Sequence, residues 1–166
     1  VPHTIRINLS GRLQEGVYAK DIALYISGKL KAQGATYMTL EFGGPSIKFM
    51  SIEDRLTICN MAAETGAKAG IFPGTWLVPD EDAVYKEVLD IDINMIEPQI
   101  ALPHTVDNVV PVTSVEGKDV QQIFIGSCTN GRYSDLELVA QVLKQKKIHP
   151  GVRMIINPAS REIIKQ

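Results

Sequence analysis

The sequence has few of the residues that mark the more specialised classes of protein. It contains 2 cysteines in 166 residues, which excludes a disulfide framework. No apolar run approaches the roughly 20 residues that a membrane-spanning helix needs, and no basic segment followed by an apolar one marks an export signal. Thiols without an export signal are typical of a reducing compartment, so we expect a cytoplasmic protein.

An excess of charge of one sign is also lacking. The 17 basic and 19 acidic residues leave a formal net charge of -2, so we expect no nucleic-acid-binding surface. Because 45% of the residues are hydrophobic, the chain is not of the disordered class. Neither GxGxxG nor a P-loop pattern occurs, so the sequence gives no support for phosphate binding.

Short strands and helices alternate along the chain. Thr4–Leu9 places Ile5, Ile7 and Leu9 on one face, which is the pattern of a half-buried strand, and a helix is predicted over Asp21–Gln33. Further strands are predicted at Tyr37–Phe42, Gly70–Phe72, Gln122–Ile125 and Val152–Ile156, and further helices after Ser51, over Asp80–Leu89, after Ser134 and after Ser160. This alternation predicts an α/β fold with mostly parallel sheets and flanking helices.

Two of the helices begin with a capping-box pattern, Ser51 with Asp54 and Ser134 with Glu137. The apolar stripe of the first is predicted to be Ile52, Leu56, Cys59 and Ala63. The stripe of the second is predicted to be Leu136, Val139, Ala140 and Leu143. Cys59 is therefore expected to pack in the core and to take no part in chemistry.

The segment from Asp90 to Gly117 has little periodicity and several prolines. We interpret it as irregular chain that crosses between two lobes, with the boundary between residues 105 and 118. The lobes are accordingly predicted as residues 1–112 and 113–166.

Residues 126–132, GSCTNGR, are the strongest local candidate for a functional site. Cys128 follows a strand and precedes a helix, and ligand sites in α/β sheets gather at such strand ends. Backbone N–H groups and a helix N-terminus favour the thiolate, which is the form that binds metals. A buried structural cysteine explains the pattern equally well. Arg132 could bind an anionic substrate or simply be solvated.

Other polar residues give weaker indications. Glu41, at the end of an apolar strand and before a Gly-Gly-Pro turn, could act as an acid or base or be a solvated strand end. His104 is expected to be a turn residue. Asp90 and Asp92 are expected to form a surface pair without further ligands.

Two long motifs resemble one known family. IGSCTNGRYSDL (residues 125–136) resembles the signature around the first cluster cysteine of the aconitase superfamily. Residues 40–72 are similar to the EYHGP and ATICNMGAE stretch of aconitases, and are closer still to the large subunits of 3-isopropylmalate dehydratase and their homoaconitase-like relatives. ALPHTVDNVVPV and HPGVRMIINPASRE also resemble prokaryotic members, so the resemblance extends along the chain.

The resemblance implies an iron–sulfur hydro-lyase. Members hold a 4Fe–4S cluster on three cysteines, and they dehydrate a hydroxy-acid and rehydrate it with the hydroxyl on the adjacent carbon. Cys128 matches the first cluster ligand, and is therefore the expected metal and cofactor residue. Glu41 matches the glutamate beside the substrate hydroxyl or the iron-bound water, and is the expected catalytic residue. Cys59 falls in the family pattern but is not a ligand there.

The departures from the family are as informative. The C-x-x-C pair that completes the cluster is absent from this sequence, and so are the segments with the substrate-binding arginines and the serine base. By resemblance, residues 1–112 are the second lobe of a large subunit and residues 113–166 the front part of the third. We therefore expect a fragment that is inactive alone and holds no intact cluster.

For the parent protein we expect a small subunit that carries the swivelling lobe. The favoured substrate is 3-isopropylmalate, in leucine biosynthesis, while homocitrate, citrate and dimethylmalate stay open. Two readings of other classes also stay open. One is a thiol hydrolase with Cys128 as nucleophile and His104 as base, and the other is a non-catalytic module that docks other lobes.

Overall fold

The computed structural model describes residues 2–74 and 78–165, and the chain divides into two compact units, Val1–Val115 and Glu116–Gln166. The first unit contains β1 (Thr4–Ser10), α1 (Ala19–Leu30), β2 (Thr39–Gly43), α2 (Ile52–Met61), β3 (Ala69–Ile71), β4 (Glu87–Asp92), β5 (Gln99–Ala101) and β6 (Val109–Pro111). The second contains β7 (Gln122–Gly126), α3 (Ser127–Asn130), α4 (Tyr133–Leu143), β8 (Arg153–Asn157) and α5 (Arg161–Lys165). The predicted α/β class is confirmed. None of the helices described has the length and apolar character of a membrane span.

The first unit is built on a parallel sheet of four strands in the order β3-β2-β1-β4. The predicted alternation in β1 is confirmed, since Ile5, Ile7 and Leu9 are all buried. Helix α1 connects β1 to β2 and helix α2 connects β2 to β3, as parallel neighbours require. Helix α1 begins two residues before the predicted start at Asp21 and ends three residues before the predicted end at Gln33.

One face of this sheet carries the core and the other is polar. The core face joins side chains of β1, β2, β4, α1 and α2 in one buried cluster, which includes Leu40, Phe42, Ile22 and Ile58. Because side chains alternate along a strand, the residues between the buried ones face the other way. Arg6, Asn8 and Glu41 are therefore together on the opposite, polar face.

The predicted apolar stripe of α2 is wrong. Ile52 is 72% exposed and Leu56 is 52% exposed, while the buried side chains are Thr57, Ile58 and Met61. The buried side chains lie on roughly the opposite side of α2 from Ile52 and Leu56, and Thr57 is easily overlooked as a core residue because it is polar. The Ser51 cap itself is confirmed, since its hydroxyl accepts from the Asp54 amide at 3.0 Å.

Two predictions for the middle of the chain are also wrong. The segment predicted as the helix Asp80–Leu89 ends inside the strand β4. Leu89 and Ile91 alternate toward the core, and β4 pairs with β1. The segment predicted to be irregular contains the antiparallel pair β5 and β6. The Asp21 carboxylate accepts from the Gln99 amide at 2.7 Å, so β5 is tied to α1 by a polar contact that no periodicity reveals.

The second unit has a parallel sheet of two strands, β7 and β8. The Ser134 cap is wrong: α4 begins at Tyr133, and the Asp135 carboxylate accepts from the Arg132 amide at 3.0 Å. Of the predicted α4 stripe, Ala140 is exposed and the other members are only half-buried. The Ser160 cap of α5 is confirmed by the 3.3 Å bond from the Ile163 amide. The assignment of residues 1–112 and 113–166 to particular lobes stays a prediction.

Candidate active site

Cys128 lies in the short helix α3, directly after β7, with its side chain exposed. The chain turns sharply here, because Gly126 and Ser127 both have positive φ, at 136° and 74°. A Cβ at Gly126 would overlap the Asn157 carbonyl oxygen of the neighbouring strand, so only glycine fits this close approach. The turn thus presents the thiol at the carboxyl end of the sheet. The alternative of a buried structural cysteine is wrong.

Arg132 binds the backbone of the turn that carries Cys128. Its Nη1 donates to the Thr129 carbonyl at 2.8 Å and its Nη2 to the Cys128 carbonyl at 3.2 Å. These carbonyls lie at the end of α3, where helical partners are missing. The guanidinium therefore stabilises the conformation of the cysteine turn.

Glu41 lies within β2, in the polar face of the first sheet. It forms an ion pair with Arg6, its direct neighbour in the register of β1 and β2. The Tyr85 hydroxyl donates to Glu41 Oε1 at 2.9 Å. Burial first, and the Glu41 carboxylate second, raise the pKa of the Tyr85 phenol. Glu41 is thus an oriented carboxylate, and the alternative of a freely solvated strand end is wrong.

Cys59 is half-buried on α2 and packs against the core of the first unit. Burial raises the pKa of its thiol, and the backbone hydrogen bond with Phe72 offsets this only in part. A thiol whose pKa is raised is a poor nucleophile and a poor metal ligand near neutral pH. Cys59 therefore serves as the natural control for Cys128.

The remaining polar candidates lie on exposed chain. His104 is in the turn between β5 and β6. Asp90 accepts from Asn8 Nδ2 at 2.9 Å, and Asp92 accepts from the Asn94 amide at 3.0 Å, so each aspartate has its own partner. Within residues 2–74 and 78–165, no group of three or more His, Cys, Asp or Glu side chains could hold a metal ion.

The structure brings Glu41 together with Arg6 and Tyr85 in the first unit, and Cys128 with Arg132 in the second. The pairing of Cys128 with His104 stays a prediction, since the two belong to different units. Sequence reasoning missed Arg6 and Tyr85. A signal for Arg6 was present, because a charged residue between Ile5 and Ile7 has to face away from the core.

The fold and the candidate site together define an α/β protein that presents a cysteine at the end of a parallel strand. The sequence matches the aconitase family (aconitate hydratase) over residues 1–75 and 112–166. The chain belongs to this family.

The similar proteins are large subunits of dehydratases. The chain is 47% identical to the 3-isopropylmalate dehydratase large subunit 1 of Methanopyrus kandleri, over 98% of this chain and 43% of that protein. It is 47% identical to the 3-isopropylmalate dehydratase large subunit 1 of Thermotoga maritima, over 98% and 44%. A probable methanogen homoaconitase large subunit from Methanothermobacter thermautotrophicus is 44% identical, over 98% and 42%. The chain thus spans less than half the length of these relatives.

Proposed function

We propose that this chain is part of a hydro-lyase that moves a hydroxyl group between adjacent carbons of a hydroxy-acid, with 3-isopropylmalate, which the enzyme interconverts with 2-isopropylmalate, as the substrate. The observation that carries the proposal is the match to 3-isopropylmalate dehydratase large subunits over 98% of the chain. Homoaconitase is the second candidate, because a protein of that name is similar over the same share of the chain. Since the similar proteins are large subunits, we also propose a small-subunit partner.

Cys128 is the residue of this chain that would hold a 4Fe–4S cluster. Its exposure at a strand end fits a thiolate ligand, but one cysteine cannot hold a cubane. Cys59 is half-buried in the first unit, so we propose that the other ligands come from the rest of the full-length protein. When bound, such a cluster supplies an open iron that polarises a C–O bond.

Glu41 is the residue of this chain that would move a proton. Dehydration breaks a C–H and a C–O bond. The C–H proton passes to a base that we propose lies in the rest of the full-length protein, and the departing hydroxyl needs a proton of its own to leave as water. A carboxylic acid can donate that proton, and the carboxylate can take it back when water adds to the adjacent carbon. The half-buried carboxylate on the polar face of the sheet suits this exchange, because it is oriented by its neighbours and still open to solvent.

The experiment uses the full-length protein with its small subunit, reconstituted anaerobically with iron and sulfide. Turnover of 2-isopropylmalate, homocitrate and citrate is measured in parallel, and we expect the highest kcat/KM with 2-isopropylmalate. Glu41→Gln should lower kcat by about 10²- to 10⁴-fold. The exposed Glu97 lies outside the ranges that match the family and gives a matched control, since Glu97→Gln should keep the wild-type rate.

Each other outcome has a definite meaning. Preference for homocitrate would replace the proposed substrate by the second candidate. An active Glu41→Gln variant would remove the role proposed for Glu41. A reconstituted protein that converts none of the three acids would contradict the hydro-lyase proposal.

A further inference from the structure

We propose that Arg6 and Tyr85 are positioning residues for catalysis, which together hold the Glu41 carboxylate in one orientation for proton transfer. This inference rests on the proposed function, because it takes Glu41 as the acid–base group. It adds two residues that neither the motifs nor the similarity to other proteins single out.

The first support is that both donors bind the same oxygen. Arg6 Nη1 and the Tyr85 hydroxyl each donate to Glu41 Oε1. Within residues 2–74 and 78–165, these are the hydrogen bonds that the Glu41 side chain makes, so Oε2 is left for a proton or a substrate hydroxyl. A carboxylate held by one oxygen and open at the other is arranged for directed proton exchange.

The second support is that Arg6 is itself held in place. Its Nε donates to Asn8 Oδ1 at 2.9 Å, and Asn8 Nδ2 donates in turn to Asp90 Oδ1 at 2.9 Å. The guanidinium also lies 5.8 Å from the centre of the Tyr85 ring. A continuous polar chain therefore runs across three strands, from Asp90 on β4 through β1 to Glu41 on β2.

The third support is a space that admits the guanidinium. A Cβ at Gly43 would overlap the Arg6 guanidinium, which lies across β2 at this point. Any larger residue at position 43 would displace the end of the Arg6 side chain. Because this end is flexible, the displacement should cost little stability while it removes the contact with Glu41.

A purely structural ion pair is the competing explanation. The Arg6 and Glu41 side chains are 18% and 22% exposed, so removing one partner leaves a partly buried charge without its ion pair. A structural role therefore predicts that any loss of rate follows a loss of stability. A positioning role predicts a large loss of rate in protein that is still fully folded.

The test uses the full-length enzyme with its small subunit and 2-isopropylmalate. Tyr85→Phe and Arg6→Gln should each lower kcat by about 10- to 100-fold, with KM changed less than about twofold, at a temperature well below the Tm of every variant. Arg6→Lys, which keeps the charge but loses the fork, should recover part of the rate. Gly43→Ala should reproduce the loss seen in Arg6→Gln. Tyr37→Phe is the matched control, because the Tyr37 ring is 71% exposed and should keep the wild-type rate.

A double-mutant cycle separates action through Glu41 from action elsewhere. In the Glu41→Gln background, Tyr85→Phe and Arg6→Gln should lower the residual rate no further. A second readout needs no turnover: the pKa of the Tyr85 phenol, taken from the absorbance difference between each protein and its Tyr85→Phe variant, should be lower in Glu41→Gln than in wild type.

Suppose that wild type is active and Glu41→Gln is inactive. Fully active Tyr85→Phe and Arg6→Gln variants would then overturn this inference and leave the proposed function standing. So would losses of rate that add to that of Glu41→Gln or that follow a lowered Tm, and so would an unchanged phenol pKa. A wild-type enzyme that converts none of the three hydroxy-acids would overturn the proposed function, and this inference with it.

Discussion

Both units contain parallel β-strands with apolar residues, but these strands form a buried core in the first unit and stay half exposed in the second. In the first unit, the sheet of four strands has a face covered by α1 and α2, and every member of the buried core cluster belongs to it. In the second unit, Phe124 on β7 is 55% exposed and Ile156 on β8 is 49% exposed. Apolar alternation therefore produces a core only where enough elements meet to close it.

Separating the two units should give the largest difference in the cooperativity of unfolding. A peptide of residues 1–115 should unfold cooperatively, because it keeps the whole core cluster. A peptide of residues 116–166 should show no cooperative transition, because two strands with half-exposed apolar residues are marginal in water. Circular dichroism during heating checks both, with residues 1–166 as the reference. A sharp transition in the 116–166 peptide would show that the second unit folds cooperatively on its own, and would contradict the contrast drawn between the units.

Single core substitutions should show the same contrast at smaller scale. Ile7→Ala in β1 removes a fully buried side chain and should lower the free energy of unfolding by about 2–5 kcal/mol. Ile156→Ala in β8 is the matched change in the second unit and should cost less than about 1 kcal/mol, since the side chain is half exposed. Urea denaturation of both variants measures the difference. Equal losses would show that the second unit has a core of its own.

Helix caps provide a weaker comparison. Ser51 caps the ten-residue α2 in the first unit, and Ser160 caps the five-residue α5 in the second. Ser51→Ala should destabilise the chain by about 1 kcal/mol, while Ser160→Ala should have less than about half that effect because α5 contributes little packing. Thermal unfolding of the two variants measures which loses more stability. A larger loss in Ser160→Ala than in Ser51→Ala would contradict this prediction.

The smallest effect is expected from pH. Hydrogen bonding with Thr105, and then with the Ala32 amide at 3.0 Å, lowers the pKa of the Asp107 carboxyl. A carboxyl whose pKa is lower in the folded state stabilises that state above its unfolded pKa, and the contribution is lost as pH falls. Asp107→Asn should therefore destabilise the first unit slightly near neutral pH, and the difference from wild type should vanish in acid. Asp82→Asn, at an exposed aspartate, is the control and should leave the stability unchanged. A stability difference between Asp107→Asn and wild type that grew as pH fell would contradict this assignment.

The sequence was sufficient for elements whose pattern depends on the backbone alone. The alternation of β1 and the Ser51 cap were predicted correctly, because side-chain period and capping are local. The α2 stripe was misplaced because Thr57 is buried in spite of its hydroxyl, and the strand β4 was missed because its pairing with β1 is made by residues about 80 positions apart. Single-sequence patterns do not encode such pairings.

The candidate site divides in the same way. Cys128 stood out because glycine and small polar residues surround it in the sequence, and Arg132, which bonds its turn, is only four residues away. The partners of Glu41 did not stand out, since Arg6 lies 35 residues away and Tyr85 lies 44 residues away. Their contact with Glu41 follows from the order of the strands, which only the structure supplies.

The most direct test of the central claim is the iron and sulfide content of the full-length protein after anaerobic reconstitution. We expect Cys128→Ser to lose the brown absorbance and most of the bound iron and sulfide, because it removes the thiolate that we propose as a cluster ligand. Cys59→Ser should keep the wild-type content, because that thiol packs against the core. A Cys128→Ser protein with a full complement of iron and sulfide would contradict the account.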